Sequence, residues 1–219
     1  MDTDHLLTAT RSARRSLDVD APVDHGEVRV CLELGLQAAN GTNQQNWRWI
    51  VVADANVRKA LADLYRDAYL TMVGGNMIGP LLEGKSEFER VMTSTEWLVE
   101  HLHQVPLHVI PCYEPYLPPF ENDASFQRAT LYGSIFPAVW NFQLALHTRG
   151  YGTCITTIHL LREAEVREVL GIPDSYAQGC LLPVARLRPG TAFRPAGRKP
   201  VDDVVAVDRW DGRPLAEAR

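Results

Sequence analysis

The chain turns from helix to strand in Ala38-Ala39-Asn40-Gly41-Thr42-Asn43-Gln44-Gln45-Asn46-Trp47-Arg48-Trp49-Ile50-Val51-Val52. Three asparagines, two glutamines and one glycine fill the turn, and an apolar strand follows it. Amide side chains donate and accept hydrogen bonds, and Asn and Gly tolerate a positive φ. The turn is therefore a suitable wall for a flat ligand with heteroatoms at its edge. The alternative interpretation is an ordinary loop with polar filler.

The bulk composition predicts one globular domain over residues 1–219. Hydrophobic residues make up 46% of the chain and charged residues 22%, which is ordinary for a protein with a sizeable core. A net charge of −5 argues against a nucleic-acid-binding surface. We find neither a signal peptide nor an apolar run long enough to span a membrane. The four cysteines form no C-x-x-C pair, so we expect free thiols in the cytoplasm.

Basic residues gather near both ends of this acidic chain. Arg11, Arg14 and Arg15 flank Ser12, and a second group follows residue 185, consisting of Arg186, Arg188, Arg194, Arg198 and Lys199. Guanidinium groups offer planar forks of donors that match phosphate oxygens, and a serine hydroxyl adds a short donor. The first group is therefore a candidate phosphate clamp, and both groups could meet around one small anion. A solvated basic turn is the alternative.

The hydrophobic periodicity predicts an α+β fold with a mixed central sheet flanked by helices and an extended C-terminal tail. The apolar strand over 47–53 predicts burial on both faces, under two layers of helices. The longest helical pattern covers 124–149 and is apolar nearly all round, which favours a buried helix or a subunit interface. Pro137 inside it predicts a kink or the meeting of two helices. A short helix over Glu163–Leu170 is expected to end at Gly171.

Two segments, 71–95 and 111–123, show no clear period. Glycine and methionine interrupt the first segment, and proline and aromatic residues dominate the second. Such segments suit a cover over a binding site. The first could equally be a helical excursion with no role in binding. Between them we predict a helix over 96–104 and a strand over 105–110.

Several common catalytic signatures are missing from the sequence. There is no G-x-G-x-x-G, no P-loop and no G-x-S-x-G, so a Rossmann site, a nucleoside triphosphatase and a serine hydrolase are not indicated. His101 and His103 are two residues apart, which places them on different sides of a helix, and we expect no metal site. We also find no pair of carboxylates spaced for acid–base catalysis. The remaining parts suit a cofactor that carries its own chemistry.

Four stretches together support one resemblance. They are Arg11-Ser12-Ala13-Arg14-Arg15, Ala39-Asn40-Gly41-Thr42-Asn43-Gln44-Gln45-Asn46-Trp47, Gly150-Tyr151-Gly152-Thr153-Cys154-Ile155-Thr156-Thr157 and Arg198-Lys199-Pro200-Val201. In order and spacing they resemble the flavin-dependent nitroreductase family (the nitro-FMN-reductase superfamily). Two further stretches, Pro137-Ala138-Val139-Trp140-Asn141-Phe142 and Asp208-Arg209-Trp210, resemble a subgroup common in actinobacteria. The chain has Ala39-Asn40 where the family usually has Pro-Ser, and Asn46 where it usually has Pro.

The resemblance implies an FMN site without a catalytic side chain of its own. Arg11, Ser12, Arg14 and Arg198 would hold the phosphate, and residues 40–43 would meet the polar edge of the flavin. Thr156 and Thr157 would tune the flavin N5. The full set of implied cofactor-binding residues is Arg11, Ser12, Ala13, Arg14, Arg15, Ala39, Asn40, Gly41, Asn43, Ile155, Thr156, Thr157 and Arg198.

The resemblance further implies a homodimer with FMN at the subunit interface, built from both chains, and no nucleic-acid or membrane partner. The activity would be FMN-dependent oxidation of NAD(P)H with reduction of nitroaromatics, quinones or similar electron-poor acceptors, by ping-pong hydride transfer. A non-catalytic protein that binds, stores or senses flavin is the alternative from another class. A dehydrogenase or a flavin-cleaving enzyme is the alternative within the family, and the sequence supplies no dedicated base for either.

Overall fold

The structure is a computed structural model that describes residues 2–75, 88–115 and 124–215. Its helices are α1 (Thr3–Ala9), α2 (His25–Gly35), α3 (Ala55–Gly74), α4 (Phe88–His101), α5 (Ala124–His147) and α6 (Glu163–Leu170). Its strands are β1 (Leu17–Asp18), β2 (Trp47–Val52), β3 (Leu107–Tyr113), β4 (Tyr151–Gly152), β5 (Ala177–Gln178) and β6 (Leu182–Leu187). Short 3₁₀ helices occupy Gly41–Asn43, Leu102–Gln104, Ile158–Arg162 and Val201–Asp203. The α+β class is confirmed.

The sheet has the strand order β1-β6-β3-β2, with β4 paired to β6 and β5 paired to β3. Every pairing among the described strands is antiparallel, so the prediction of a mixed sheet is wrong for this part of the chain. Between β2 and β3, the described residues form two helices, α3 and α4. A single crossover helix would return a parallel strand, whereas a second helix brings the chain back to the opposite end.

Helices cover both faces of the sheet, as the sequence predicts. Successive side chains of β3 point to opposite faces of the sheet and therefore belong to two different cores. Val109 packs with Phe142 and Leu146 of α5, whereas Ile110 packs with Tyr65 of α3 and Leu98 of α4. The prediction that β2 is buried on both faces is wrong, since Arg48 and Val51 are exposed. Within the described residues β2 pairs only with β3, which leaves its outer edge open.

Helix α5 is one continuous helix through Pro137, so two helices do not meet there, and the alternative of a kink at Pro137 stays a prediction. Its inner face is buried, with Ile135, Ala138, Val139, Phe142 and Leu146 in the core. Its other face exposes three aromatic side chains, which are Phe126, Tyr132 and Trp140. The helix therefore supplies both a core element and an apolar outer surface.

The two segments predicted to be irregular are partly regular. Helix α3 continues to Gly74 and α4 begins at Phe88, while 111–113 belong to β3. Gly74 and Gly75 interrupt the helical pattern in the sequence, but they lie at the C-terminal end of α3, where glycine is acceptable. The remaining parts of these predicted covers, 76–87 and 116–123, lie outside the described residues.

The segment after β6 carries no α-helix or β-strand within its described residues, 188–215, in keeping with the predicted extended tail. Its apolar side chains are largely exposed, including Val201, Val204 and the completely exposed Trp210. A local reversal joins the Val207 amide to the Arg213 carbonyl at 3.0 Å. Among the described residues, none of the helices combines the length and the hydropathy needed to cross a membrane.

Candidate functional site

The loop after α1 is fixed to the end of strand β4 by its buried residue Ala13. Ala13 is 1% exposed, and its amide donates to the Thr153 carbonyl at 2.9 Å. A Cβ on Gly152 would lie 2.8 Å from the Ala13 Cβ and 2.5 Å from Leu187 Cδ2, so only glycine allows this approach. Anchoring Ala13 inward leaves its neighbours Arg11 and Ser12 free to face a cleft on the outside.

That cleft has a volume of about 780 Å³, and it brings together the segments 10–14 and 192–198. It is lined by Thr10, Arg11, Ser12, Arg14, Arg90, Val91, Ser94, Trp140, Ala192, Phe193, Arg194, Pro195, Ala196, Gly197 and Arg198. The cleft is therefore lined by four residues of the predicted phosphate clamp, Arg11, Ser12, Arg14 and Arg198. Arg15 is exposed and is not among the lining residues. The described lining residues include five arginines and no carboxylate, which makes this cleft a candidate anion site in an acidic chain.

Arg14 connects the cleft to the interior. Its Nε is buried and has no hydrogen-bond partner within the described part of the chain. Burial raises the pKa of the neighbouring Cys154 thiol to about 11, and the Arg14 guanidinium opposes that rise by its charge and by a hydrogen bond. A buried cationic donor without an acceptor is costly, so a bound anion would satisfy it. The chemistry of this donor set fits a phosphate group.

The threonine pair lies on the strand segment beside this loop. Thr156 exchanges backbone hydrogen bonds with Leu181, at 3.1 and 2.8 Å, and its side chain is turned inward. Its Oγ1 is 2.8 Å from the buried Tyr65 hydroxyl. Thr157 is exposed and is the member of the pair that is available to a ligand, whereas Ile155 is half-buried against the core of α5. The two threonines therefore have different environments.

The amide wall has an unusual backbone. Thr42, Asn43 and Gln45 have φ values of 49°, 54° and 50°, in the left-handed region that non-glycine residues rarely adopt. The Asn40 Oδ1 accepts from the Gln45 amide at 3.1 Å, and the Gly41 amide donates to Ser134 Oγ of α5 at 3.0 Å. These bonds hold the strained turn in place.

The ends of the wall differ in exposure. Ala39 is exposed at the start of the turn, and Asn46 at its end exchanges hydrogen bonds with the backbone of Glu114. Asn46 thus ties the turn to the end of β3, although it stands where the family usually has proline. No wall residue from 39 to 43 is among those lining the arginine cleft, so one copy of the chain keeps the two predicted parts apart.

Two of the C-terminal arginines serve the fold instead of the cleft. Arg186 donates to Glu27 at 2.7 Å and lies 4.1 Å over the Tyr151 ring. The Tyr151 hydroxyl donates to the same carboxylate at 2.5 Å and accepts from the Asp24 amide at 3.1 Å. A tyrosine thus completes the helix cap of α2. Arg188 donates to the Leu17 carbonyl at 3.2 Å. The prediction that the whole second basic group meets the first is therefore wrong for Arg186 and Arg188.

Sequence reasoning missed part of the cleft wall. Arg90, Val91 and Ser94 of α4 line it, and so does Trp140 of α5. Arg90 and Ser94 are four residues apart, which places them on one face of a helix. That spacing was available in the sequence, but the segment around it was interpreted as irregular.

Known proteins resemble this chain in sequence and in fold. The sequence matches the nitroreductase family over residues 7–186. Similar solved structures include an oxidised iodotyrosine deiodinase bound to FMN and 3-iodo-L-tyrosine. It has a TM-score of 0.67 and 18% identity, and the match covers 94% of this chain and 98% of that one.

Two further structures share the fold. The FMN- and NADPH-dependent nitroreductase NfnB from sphigopyxis sp. strain HMH has a TM-score of 0.68 and 17% identity, with 97% and 100% of the two chains covered. A BluB-like flavoprotein from Clostridium difficile 630 gives a TM-score of 0.68, 17% identity and coverage of 95% and 100%. At such identities the likeness shows the fold alone, and the actinobacterial subgroup stays a prediction. The match over residues 7–186 shows that the chain belongs to the nitroreductase family.

Proposed function

We propose that the protein holds FMN and acts as an NAD(P)H-dependent oxidoreductase that reduces nitroaromatics, quinones or similar electron-poor acceptors. One observation carries the proposal: the buried Arg14 Nε has no partner in the described chain, and it belongs to a cleft whose described lining is rich in arginine. Membership of the nitroreductase family supports a flavin oxidoreductase. A structurally similar protein is an FMN- and NADPH-dependent nitroreductase, which supports the cofactor and the reductant.

The phosphate of FMN would lie among Arg11, Ser12, Arg14 and Arg198. Charge-assisted hydrogen bonds from guanidinium groups to phosphate are about twice as strong as neutral ones. Arg14 would gain most, because a phosphate oxygen would supply the acceptor that its buried Nε lacks. The Ser12 hydroxyl is exposed and free to add a further donor.

FMN held by these residues would supply hydride-transfer chemistry between a reduced nicotinamide and an electron-poor acceptor, in a ping-pong reaction that uses one pocket. The protein would orient the ring and exclude water. Thr157 is the threonine whose side chain is available to the flavin edge, since Thr156 is bonded to Tyr65. Asn40, Gly41 and Asn43 would meet the polar edge of the flavin. Neighbouring positions of the three motifs 11–15, 39–47 and 150–157 complete the proposed site, and these are Ala13, Arg15, Ala39 and Ile155.

We propose a homodimer in which the wall of one copy completes the cleft of the other. The wall and the cleft share no lining residue within one described chain. The surface between them is apolar, since α5 exposes Phe126, Tyr132 and Trp140. Strand β2 also leaves its outer edge unpaired in the described chain, and proteins usually cover such edges. The four free cysteines are all buried, in keeping with the proposed cytoplasmic location.

The first experiment measures FMN binding to purified protein by fluorescence quenching. We expect a yellow protein whose flavin absorbance bleaches when NADPH or NADH is added without oxygen. The double variant Arg11→Ala/Arg198→Ala should lose FMN affinity by about 100-fold or more, because two charge-assisted contacts disappear. The control Arg29→Ala/Arg66→Ala removes the same charge outside the cleft and should retain FMN.

The outcomes separate the components of this proposal. Wild-type protein that binds no FMN would overturn the function, and unchanged affinity in Arg11→Ala/Arg198→Ala would overturn the clamp. Steady-state NADPH oxidation with a quinone distinguishes an enzyme from a flavin store, because a store does not turn over. Light scattering after size exclusion tests the dimer, which a monomeric mass with bound FMN would contradict.

A further inference from the structure

A second pocket lies beside β2, on the face of the sheet that α6 covers. It has a volume of about 450 Å³, which is typical of small-molecule sites. The sheet contributes Ile50 of β2 and Cys112 of β3, and the segment 170–173 and Tyr176 form the facing wall. The described linings of this pocket and of the arginine cleft have no residue in common. The pocket is therefore a separate site from the one proposed for FMN.

Hydrogen bonds fix the wall of this pocket. Gly171 ends α6 with a φ of 63°, and the Tyr176 amide donates to the Pro173 carbonyl at 3.0 Å. The Arg167 Nη1 donates to the carbonyls of Pro173 and Tyr176 at 2.7 and 2.9 Å. The wall is thus in place before a ligand binds, which lowers the entropic cost of binding.

The pocket is apolar except for one cation and one phenol. Four of its described lining residues, Ile50, Leu170, Ile172 and Pro173, are hydrocarbon. Burial raises the pKa of the Cys112 thiol to about 11, so the thiol is neutral. Hydrocarbon that is already gathered around a preformed space favours a ligand with an apolar body.

Arg48 supplies the single charge of the described lining. It pairs with Cys112 across the two strands, and paired side chains lie on the same face of a sheet. Arg48 is exposed, and the described residues give its guanidinium neither a hydrogen bond nor an ion pair. Asp174 of the wall loop is 3.8 Å from Arg167 and does not line the pocket. The donors of Arg48 are therefore available to a ligand.

We propose that this pocket binds a small monocarboxylate with an apolar body. The body would contact Ile50, Leu170 and Ile172, and its burial would supply most of the affinity. Two N–H groups of the Arg48 guanidinium match the two oxygens of a carboxylate, which selects the end group of the ligand. The proposal does not depend on the FMN site.

The test titrates the full chain, loaded with FMN, with octanoate and with the uncharged 1-octanol. Calorimetry measures both affinities in the wild type and in Arg48→Gln. NMR of isoleucine methyl groups locates the ligand, because Ile50 and Ile172 line the pocket whereas Ile135 belongs to the core on the other face of the sheet. Arg66→Gln is the control, since it removes the same charge from an exposed residue outside the pocket lining.

We expect the wild type to bind octanoate about tenfold or more tightly than 1-octanol, with shifted methyl signals of Ile50 and Ile172 and an unshifted signal of Ile135. Arg48→Gln should lose about tenfold or more in affinity for octanoate and keep its affinity for 1-octanol within about twofold, because only the charge-assisted contact is removed. Arg66→Gln should keep both affinities within about twofold. FMN affinity should be the same in all three proteins.

Several results would overturn this site. They are a wild type that does not bind octanoate, equal affinities of the wild type for octanoate and 1-octanol, an equal loss of both ligands in Arg48→Gln, and methyl shifts that omit Ile50 and Ile172. Octanoate binding that weakens as the protein concentration rises would instead assign the pocket to a second copy of the chain. Failure of the proposed function has a different signature, which is a wild type without bound FMN.

Discussion

The hydroxyl of Tyr65 on α3 lies 2.8 Å from Oγ1 of Thr156, and both side chains are buried. Burial raises the pKa of Tyr65, so the phenol stays protonated, and the hydrogen bond with Thr156 is only a partial offset. This bond fixes the inner threonine of the pair and thereby leaves Thr157 as the outer one. Helix α3 lies outside the four sequence motifs, yet through Tyr65 it determines which of the two threonines faces outward.

The variant Tyr65→Phe should destabilise the fold by about 1–2 kcal/mol, because it leaves the buried Thr156 hydroxyl without its partner. Urea denaturation measures the change. In a double-mutant cycle, Thr156→Val added to Tyr65→Phe should cost much less than it does alone. Tyr69→Phe is the matched control on the same helix, since its longer bond of 3.3 Å reaches Glu96. Additive effects of Tyr65→Phe and Thr156→Val would contradict the pairing.

Acid should destabilise the protein through two buried histidines. Burial lowers the pKa of His108 and of His159 from 6.5 to about 4. As the pH falls from 6.5 towards 4, the unfolded state binds protons that the folded state does not, so stability falls over that window. Each histidine contributes up to about 3 kcal/mol to that loss. Urea denaturation at pH 7, 6, 5 and 4.5 measures the slope.

His159 allows a sharper form of this pH prediction. Neither of its ring nitrogens has a hydrogen-bond partner within the described residues, whereas the His108 Nε2 bonds the Leu102 carbonyl at 2.8 Å. His159→Leu should therefore reduce the loss of folding stability between pH 6.5 and 4, at little cost in stability at pH 7. His108→Leu should also reduce that loss but should destabilise the protein at pH 7. Replacing the exposed His103 by glutamine should leave the loss unchanged, and an equal reduction in that variant would refute the assignment.

Gly152→Ala should destabilise the protein by about 1–3 kcal/mol, as overpacked cores do. The added Cβ would lie 2.5 Å from Leu187 Cδ2, 2.8 Å from Ala13 Cβ and 2.9 Å from Leu17 Cδ2. Since Ala13 anchors the arginine loop, FMN affinity should fall as well. Gly133→Ala on α5 is the control, because nothing lies within 4 Å of its added Cβ. It should stabilise the helix by about 0.5–1 kcal/mol, and thermal denaturation compares the two variants.

Arg186→Ala should cost about 1–2 kcal/mol of folding stability, since it removes a half-exposed ion pair with Glu27 and a stacking contact on Tyr151. Its FMN affinity should not change, because Arg186 does not line the cleft. Arg29→Ala breaks a more exposed pair with Glu33 and should cost less than about 0.5 kcal/mol. Denaturation with parallel FMN titration measures both effects, and loss of FMN in Arg186→Ala would return this residue to the anion site.

Prediction from the sequence was most accurate for elements whose ends are determined by neighbouring residues. The helix over Glu163–Leu170 is observed with those bounds, because Gly171 adopts the left-handed conformation that ends it, with a φ of 63°. Arg11 and Arg198 line one cleft, and their proximity is what the family resemblance implies. Long-range choices were not readable in the same way. Nothing near Arg186 and Arg198 reveals that the first turns to Glu27 and the second to the cleft.

The direction of β3 relative to β2 is a long-range property of the same kind, since a long connection separates the two strands. The start of α4 was also predicted eight residues too late. The same error hid Arg90, which lies on the first turn of α4. The strained turn at Thr42, Asn43 and Gln45 follows from bonds to Asn40 and Asn43 that amide content alone does not specify.

Because Trp210 is completely exposed, its indole can serve as an intrinsic fluorescence reporter. The other four tryptophans are at least partly shielded by the domain, so the indole in the tail dominates quenching by a water-soluble quencher such as iodide. If the tail docks against a second copy, its emission shifts to the blue and iodide loses access as the protein concentration rises. The assembly of this chain can therefore be followed at nanomolar concentration without attaching a dye.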